Sequence, residues 1–165
     1  MADLFELASD AMFSPCGRYR YRLRRQLRPH GGRVCLFVML NPSKANATDD
    51  DPTIRRCIGF ARAWDFDWLK VVNLFALTAT DPAEMLRATD PVGPDNDPHL
   101  RGEAGAADLV VCAWGKHGSH LGRDRVVADL LYHYDLHCLG TNKDGSPKHP
   151  LYCRADTQPM PWRLA

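Results

Sequence analysis

Seven apolar residues, Val34-Cys35-Leu36-Phe37-Val38-Met39-Leu40, run directly into the polar turn Asn41-Pro42-Ser43. A short apolar run with β-branched residues and a turn signal behind it is typical of a strand buried on both faces of a parallel sheet. The carboxyl ends of such strands line the crevice in which ligands bind. This stretch therefore predicts both the fold class and the place of the site.

Three further apolar runs end in polar residues. Residues 68–72 lead into Asn73, residues 109–113 lead into the turn 114–118, and residues 136–140 lead, after a loop, to His149. Because neighbouring parallel strands end at one edge of a sheet, we expect Asn41, Asn73 and His149 to converge.

Helices are predicted between these strands. Asp51-Pro52 and Asp81-Pro82 each place a capping carboxylate before proline at the first helical position, and Asp97-Pro98 starts another helix. The predicted helices cover about residues 52–64, 82–88, 98–107 and 122–134. This order predicts an α/β protein, a three-layer α/β/α sandwich with a central parallel four-stranded sheet.

Length and composition are those of an ordinary globular domain. At 165 residues, 45% of them hydrophobic and 25% charged, the chain is expected to form a single domain over 1–165. An Arg-rich strand or hairpin region, residues 1–33, would pack on it. Without a leader pattern or an apolar run of about 20 residues, we expect a cytoplasmic monomer that has no membrane contact.

The N-terminal region has two interpretations. Residues 18–33 hold seven arginines and no acid, and the alternating pattern over 18–23 predicts a strand. Arginines interleaved with Tyr19 and Tyr21 can contact phosphates and stack on bases. The same pattern is typical of an edge strand protected by charge. The candidate nucleic-acid contacts in this strand are Arg20, Arg22 and Arg24.

The sequence favours neither a metal nor a cofactor. Its six cysteines form no Cys-x-x-Cys pair, although a cluster of Cys16, Cys57 and Cys153 stays open as an alternative. His117 and His120 with Asp124 match no standard metal-ligand spacing. No Gly-rich nucleotide-binding motif follows the first strand.

Taken together, the four strand ends resemble the uracil-DNA glycosylase superfamily. The motifs that carry this resemblance are Met39-Leu40-Asn41-Pro42-Ser43, Val71-Val72-Asn73, Val111-Cys112-Ala113-Trp114-Gly115 and His149-Pro150-Leu151-Tyr152. The chain is also similar, over nearly its whole length, to an uncharacterised bacterial family related to that superfamily. The resemblance implies a glycosylase-like fold.

The resemblance also implies a function in DNA repair. It implies a monofunctional enzyme, with no Schiff-base lysine and no metal, that hydrolyses the N-glycosidic bond of a damaged or modified base flipped out of DNA. Asn41 would hold the attacking water, and His149 would stabilise the departing base. Asn73 would read the edge of the base.

Further residues receive roles from the same resemblance. Ser43 would contribute to base binding, and Phe75, Trp114 or Tyr19 would stack on the base. Leu151 or Tyr152 would fill the gap that the flipped nucleotide leaves. Phosphates would be held by Lys44, Arg55, Lys116 and His117.

Departures from the superfamily pattern support two alternatives. Met39 stands where superfamily members usually carry glycine, and Leu151-Tyr152 replaces a serine-rich end. One alternative is a non-catalytic module that binds nucleic acid or senses a base. The other is an enzyme that acts on a free nucleobase, nucleoside or nucleotide.

Overall fold

The computed structural model describes residues 6–165, so residues 1–5 of the predicted N-terminal region lie outside the described residues. The strands are β1 (Ser9–Phe13), β2 (Arg20–Gln26), β3 (Val34–Met39), β4 (Trp68–Asn73), β5 (Leu109–Cys112), β6 (Leu136–Cys138) and β7 (Met160–Pro161). The helices are α1 (Pro52–Ala63), α2 (Pro82–Arg87), α3 (Asn96–Ala106) and α4 (Arg123–Leu130), with 3₁₀ segments at Lys116–Gly122 and Pro150–Tyr152.

All seven strands form one sheet, in the order β1-β2-β4-β3-β5-β6-β7. β3 pairs in parallel with β4 and β5, and β5 pairs in parallel with β6. β1, β2 and β7 join as antiparallel strands at the two edges. The predicted α/β class is confirmed, and the sheet is wider than the four strands expected because both ends of the chain add to it. Within residues 6–165, no helix is long and apolar enough to cross a membrane.

Local capping explains where α1 and α2 begin. The side chain of Asp51 accepts a hydrogen bond from Ile54 N at 2.9 Å, and that of Asp81 accepts one from Ala83 N at 3.0 Å. Differences arise in the last helix. Where a helix over 122–134 was expected, α4 follows directly on a 3₁₀ segment and ends at Leu130, since Leu131 departs from helical backbone angles.

Side chains on the two faces of the sheet build two separate apolar cores. One core packs against α1 and includes Cys35, Phe37, Leu69, Val71, Ile54, Cys57, Phe60 and Ala61. The other packs against α2, α3 and α4 and includes Leu36, Val38, Val72, Met85, Leu100, Ala104, Val127 and Leu131. Strand residues alternate between the cores, so the helices cover both faces of the sheet.

A β-bulge in β2 changes which face its arginines occupy. Met12 pairs with Arg22 and Phe13 pairs with Arg20, so Tyr21 is an extra residue in β2. Arg20 therefore turns to the α1 side of the sheet, where it reaches Ala45 O. β2 lies between β1 and β4, so the prediction of a charge-protected edge strand is wrong.

On the other face, an ion-pair cluster ties α3 to the sheet. Glu103, on α3, accepts hydrogen bonds from Lys70 Nζ at 2.8 Å and from Arg22 Nη1 at 3.0 Å. Burial acts to raise the pKa of Glu103, but the bonds from Lys70 and Arg22 outweigh it and the pKa is lowered overall. The carboxylate is therefore stabilised in the folded protein.

We expect Glu103→Ala to lower the free energy of unfolding by about 2 kcal/mol, because it leaves Lys70 and Arg22 half-buried without their carboxylate. Urea denaturation measures this loss, with Glu84→Ala on the exposed start of α2 as the control. Because the folded-state pKa of Glu103 is lowered, the loss is expected above the ordinary glutamate pKa of about 4.3 and should vanish in more acidic solution. Equal stability of the two variants at neutral pH would contradict the prediction.

Candidate functional site

A cavity of about 730 Å³ opens at the carboxyl ends of β3, β4 and β5. Asn41, Asn73 and His149, which lie far apart in sequence, all line it. Asn41 follows β3, Asn73 ends β4, and His149 precedes the second 3₁₀ segment. The structure thus brings the central sequence-predicted residues together at one edge of the sheet.

Backbone contacts fix the amide of Asn41. Its Nδ2 donates to Pro42 O at 3.0 Å and to Ala79 O at 2.9 Å. Both amide hydrogens are therefore used, and Oδ1 is left as the acceptor that this side chain offers. An acceptor held in this way can orient a water molecule through one of its hydrogens.

Asn73 is the unusual group in the cavity wall. Its side chain is only 1% exposed, yet neither Oδ1 nor Nδ2 has a hydrogen-bond partner. An unsatisfied buried polar atom costs about 1–3 kcal/mol. A side chain that carries two such atoms and lines a cavity is well placed to read the donor and acceptor of a ligand.

Two residues that the sequence analysis missed hold the backbone around Asn73. Asn96 Nδ2 donates to Asn73 O at 2.9 Å and to Leu74 O at 3.1 Å. Arg123 Nε donates to Leu74 O at 2.8 Å, and Arg123 Nη2 pairs with Asp97 at 2.5 Å. Sequence offered no signal for this role, because Asn96 and Arg123 read as ordinary residues at helix starts.

His149 is held as a neutral hydrogen-bond donor. Its Nδ1 accepts from Leu151 N at 3.2 Å, which caps the 3₁₀ segment and leaves the ring hydrogen on Nε2. Burial lowers the pKa of His149, and the nearby charge of Asp51 opposes that effect only in part. The imidazole is therefore uncharged at neutral pH.

Arg20 lies in the cavity wall, apart from the other two predicted arginines. Its side chain is buried, Nη1 donates to Ala45 O at 2.9 Å, and Nε has no partner. Burial lowers the pKa of Arg20 to about 10, so it stays charged at neutral pH. Arg22 and Arg24 turn to the opposite face, where both form ion pairs with Asp10. The predicted grouping of the three arginines fails because the bulge at Tyr21 separates their faces.

The remaining predicted residues divide between the cavity and other places. The lining includes Ser43, Trp114, Lys116, His117, Leu151 and Tyr152. Trp114 is also buried in the core, with its ring 5.3 Å from that of Trp162 in an edge-on contact. Phe75 is fully buried in the core on the far side, beside His120, so the structure does not bring it into the cavity lining.

Two predicted phosphate contacts lie outside the lining. Lys44 is exposed, and Arg55 donates to Asp50 O at 3.0 Å on the surface. Residues that the sequence analysis did not select complete the wall: Asp51, Thr53, Asn142, Lys143 and Asp144. In the sequence these residues have the features of turns and helix caps, and such features do not distinguish a cavity wall from any other loop.

The predicted alternatives for a metal find no support in the geometry. Across residues 6–165, no group of three or more His, Cys, Asp or Glu side chains is arranged to hold a metal ion. Cys57 and Cys153 are buried free thiols, whereas Cys16 is an exposed one. Burial raises the pKa of Cys57 and of Cys153, which makes both poor ligands and nucleophiles.

The fold and site define an α/β protein with a polar cavity at the carboxyl ends of its parallel strands. Residues 20–151 match the family described as "Protein of unknown function (DUF1643)", and the chain belongs to that family. No curated protein and no solved structure matches the chain. The matched segment begins at Arg20 and ends at Leu151, which both line the cavity. The resemblance to the glycosylases stays a prediction.

We expect Asn73→Leu to raise the free energy of unfolding by about 1 kcal/mol, because an apolar side chain replaces an amide with two unsatisfied atoms. Asn96→Leu is the matched control, since its amide satisfies two carbonyls and its loss should cost about 2 kcal/mol. Urea denaturation of both variants measures the difference. A fall in stability for Asn73→Leu as large as that for Asn96→Leu would contradict the prediction.

His149 should make stability sensitive to mild acid. Its folded-state pKa is lowered, so the unfolded chain, with a value of about 6.5, binds the proton more readily. The free energy of unfolding should therefore fall as pH decreases below about 6.5. His149→Asn, which keeps a capping acceptor, should lose less stability than the native chain between about pH 7 and pH 5. Identical slopes for the two proteins would refute this role of His149.

Proposed function

We propose that this protein is a DNA glycosylase-like enzyme that hydrolyses the N-glycosidic bond of a damaged or modified base flipped into the cavity. The observation that carries the proposal is the buried, unpartnered amide of Asn73 in the same cavity as Asn41 and His149. Such an enzyme would act in DNA repair.

Recognition of the base would rest on Asn73. One amide presents a donor and an acceptor side by side, which complements a base edge that carries the opposite pair. Among the described residues no group pairs with these two atoms, so a base that pairs with both supplies hydrogen bonds that the protein does not. A base that cannot pair leaves them buried and unpaired, which gives discrimination.

Attack on the sugar would rest on Asn41. Bonds to Pro42 O and Ala79 O fix its amide plane, so Oδ1 can hold a water in one position. An amide is a weak base, so the step depends on a reactive glycosidic bond and on positioning of the water. This favours bases that leave readily.

His149 would stabilise the departing base. As a neutral imidazole with its hydrogen on Nε2, it can donate to an oxygen or nitrogen on which negative charge develops. Because burial lowers its pKa, the ring acts as a fixed donor and does not transfer a full proton.

Residues at the rim would contact the rest of the nucleic acid. Lys116 and Lys143 supply positive charge at the mouth, and His117 lies beside them in the lining. Leu151 is 48% exposed and Tyr152 is 84% exposed, so both side chains are accessible beside the cavity. One of them would enter the gap left by the flipped nucleotide.

A second candidate is a module that senses a base without hydrolysis. The carboxylates that line the cavity, Asp51 and Asp144, accept hydrogen bonds from Ile54 N and from Ser146. Both are engaged in local structure, so neither is set up as a free general base. This favours recognition by Asn73 with slow or no bond cleavage.

Base release from an oligonucleotide panel tests the proposal. Single- and double-stranded substrates would carry uracil, mismatched and modified bases, and release would be read by alkaline cleavage and mass spectrometry. We expect the native protein to release at least one base, and Asn41→Ala and His149→Ala each to lower the rate about 100-fold or more. His133→Ala, an exposed histidine beyond α4, is the matched control and should retain the native rate.

The outcomes separate the candidates. Release that survives both Asn41→Ala and His149→Ala would overturn the assigned mechanism. If no base is released from any oligonucleotide, but the native protein binds oligonucleotides and Asn73→Leu abolishes that binding, the result would support the sensing module. Binding of free bases with little affinity for DNA would instead favour an enzyme of free nucleobases or nucleosides.

A further inference from the structure

Arg20 is a buried cation that the proposed glycosylase steps leave unused. Its side chain is 2% exposed and lines the same cavity as Asn73. Nη1 donates to Ala45 O at 2.9 Å, whereas Nε is buried without any partner. A buried charge is costly unless it is paired, so this guanidinium calls for a partner of opposite charge.

Neighbouring residues do not supply that partner. Arg25, on the same face of β2, pairs with Asp50 at 2.8 Å, and Arg22, on the opposite face, pairs with Glu103. Among the described residues, Asp51 is the carboxylate whose charge acts on Arg20, and it is engaged in capping α1. Arg20 lines the cavity and forms no ion pair among the described residues, so its charge is available to a ligand there.

The β-bulge in β2 places Arg20 in this position. Regular alternation would put Arg20 on the same face as Arg22, where it would pair with acids. The extra residue Tyr21 turns Arg20 to the α1 side instead, into the wall that also holds Met39 and Val71. Bulges that re-aim a side chain are common beside active sites.

We propose, on the basis of the function proposed above, that Arg20 binds the negative charge of the departing base, so that the cavity takes up a heterocycle as its singly charged anion. The group that faces the Arg20 guanidinium is a ring carbonyl oxygen over which the charge of the deprotonated ring nitrogen is delocalised. Arg20 then adds a full positive charge to the neutral hydrogen bond that His149 donates.

The chemistry of the step balances without an oxidant or a further reactant. The bond between C1′ and the ring nitrogen breaks, and both of its electrons leave with the base. The oxygen of water bonds to C1′, and the proton it gives up ends on the base nitrogen after the anion departs. Arg20 keeps its own proton throughout and lowers the energy of the anion by charge and hydrogen bonding.

The lining favours a delocalised monoanion over a phosphate. Met39, Ile54 and Val71 give the wall near Arg20 an apolar surface that suits a flat ring. Asp51 lines the same cavity and would repel a doubly charged group.

Calorimetric titration with free heterocycles tests Arg20 apart from catalysis. The probes are uracil and its fluoro- and nitro-substituted derivatives, which share a shape but differ in N–H acidity, and inorganic phosphate. At neutral pH we expect the native protein to bind the most acidic member most tightly. Arg20→Gln should weaken binding of the most acidic heterocycle at least about tenfold and make the affinities along the series nearly equal. Arg20→Lys should keep part of the preference for the acidic heterocycles.

Arg28→Gln removes an arginine just beyond β2 that pairs with Asp65, and this control should bind like the native protein. Circular dichroism would establish that each variant folds. If Arg20→Gln does not fold, Arg20→Lys is used for the binding test in its place. Equal affinities along the series, an acidity preference that survives loss of Arg20, or tighter binding of phosphate would overturn the inference. Base release from oligonucleotides tests the proposed hydrolysis separately. If the preference for acidic heterocycles depends on Arg20 but no base is released, the anion site stands and only the proposed hydrolysis is rejected.

Discussion

Parallel pairing of β3 with β4 is the constraint on which the rest of the structure depends. Its register runs from Val34 opposite Trp68 to Met39 opposite Asn73, so the two strands end together. The ladder continues as Leu74 N donates to Met39 O at 2.9 Å. A slip of one residue would turn Asn73 to the other face and move the apolar residues of β4 out of their cores. Packing of both cores against helices therefore fixes where the polar side chains of the site lie.

Much of this arrangement could be predicted from sequence because its signals are local. The apolar run of β3 and the Asp51-Pro52 cap need only neighbouring residues to be recognised, and the α/β class follows from their order. The bulge at Tyr21 is different, since it depends on how β1 and β2 fit together. The place of Phe75 outside the cavity has a related reason: the chain turns after β4, and only packing shows which way its ring points.

Function and stability oppose each other in the cavity wall. Asn73 and Arg20 are both buried with unpartnered nitrogen atoms, and each would be more stable with a partner or as an apolar residue. Beside Asn73 the backbone carbonyls are satisfied, as the bonds that Asn96 and Arg123 donate to them illustrate. Unsatisfied groups in the cavity wall, next to well-satisfied ones that support them, indicate a site organised in advance for a polar ligand.

His149 and Arg20, the two donors proposed to stabilise the departing base, differ in charge because their surroundings and their basicity differ. His149 is half-buried and its Nδ1 accepts from Leu151 N, so its imidazole is neutral and donates in one direction. Arg20 is buried even more deeply, yet a guanidinium is basic enough to stay charged at a pKa of about 10. A ligand that is neutral on entry and anionic on departure gains more from Arg20 as its charge develops. That difference between ground state and charged state is what accelerates a reaction, whereas equal attraction to both would only tighten binding.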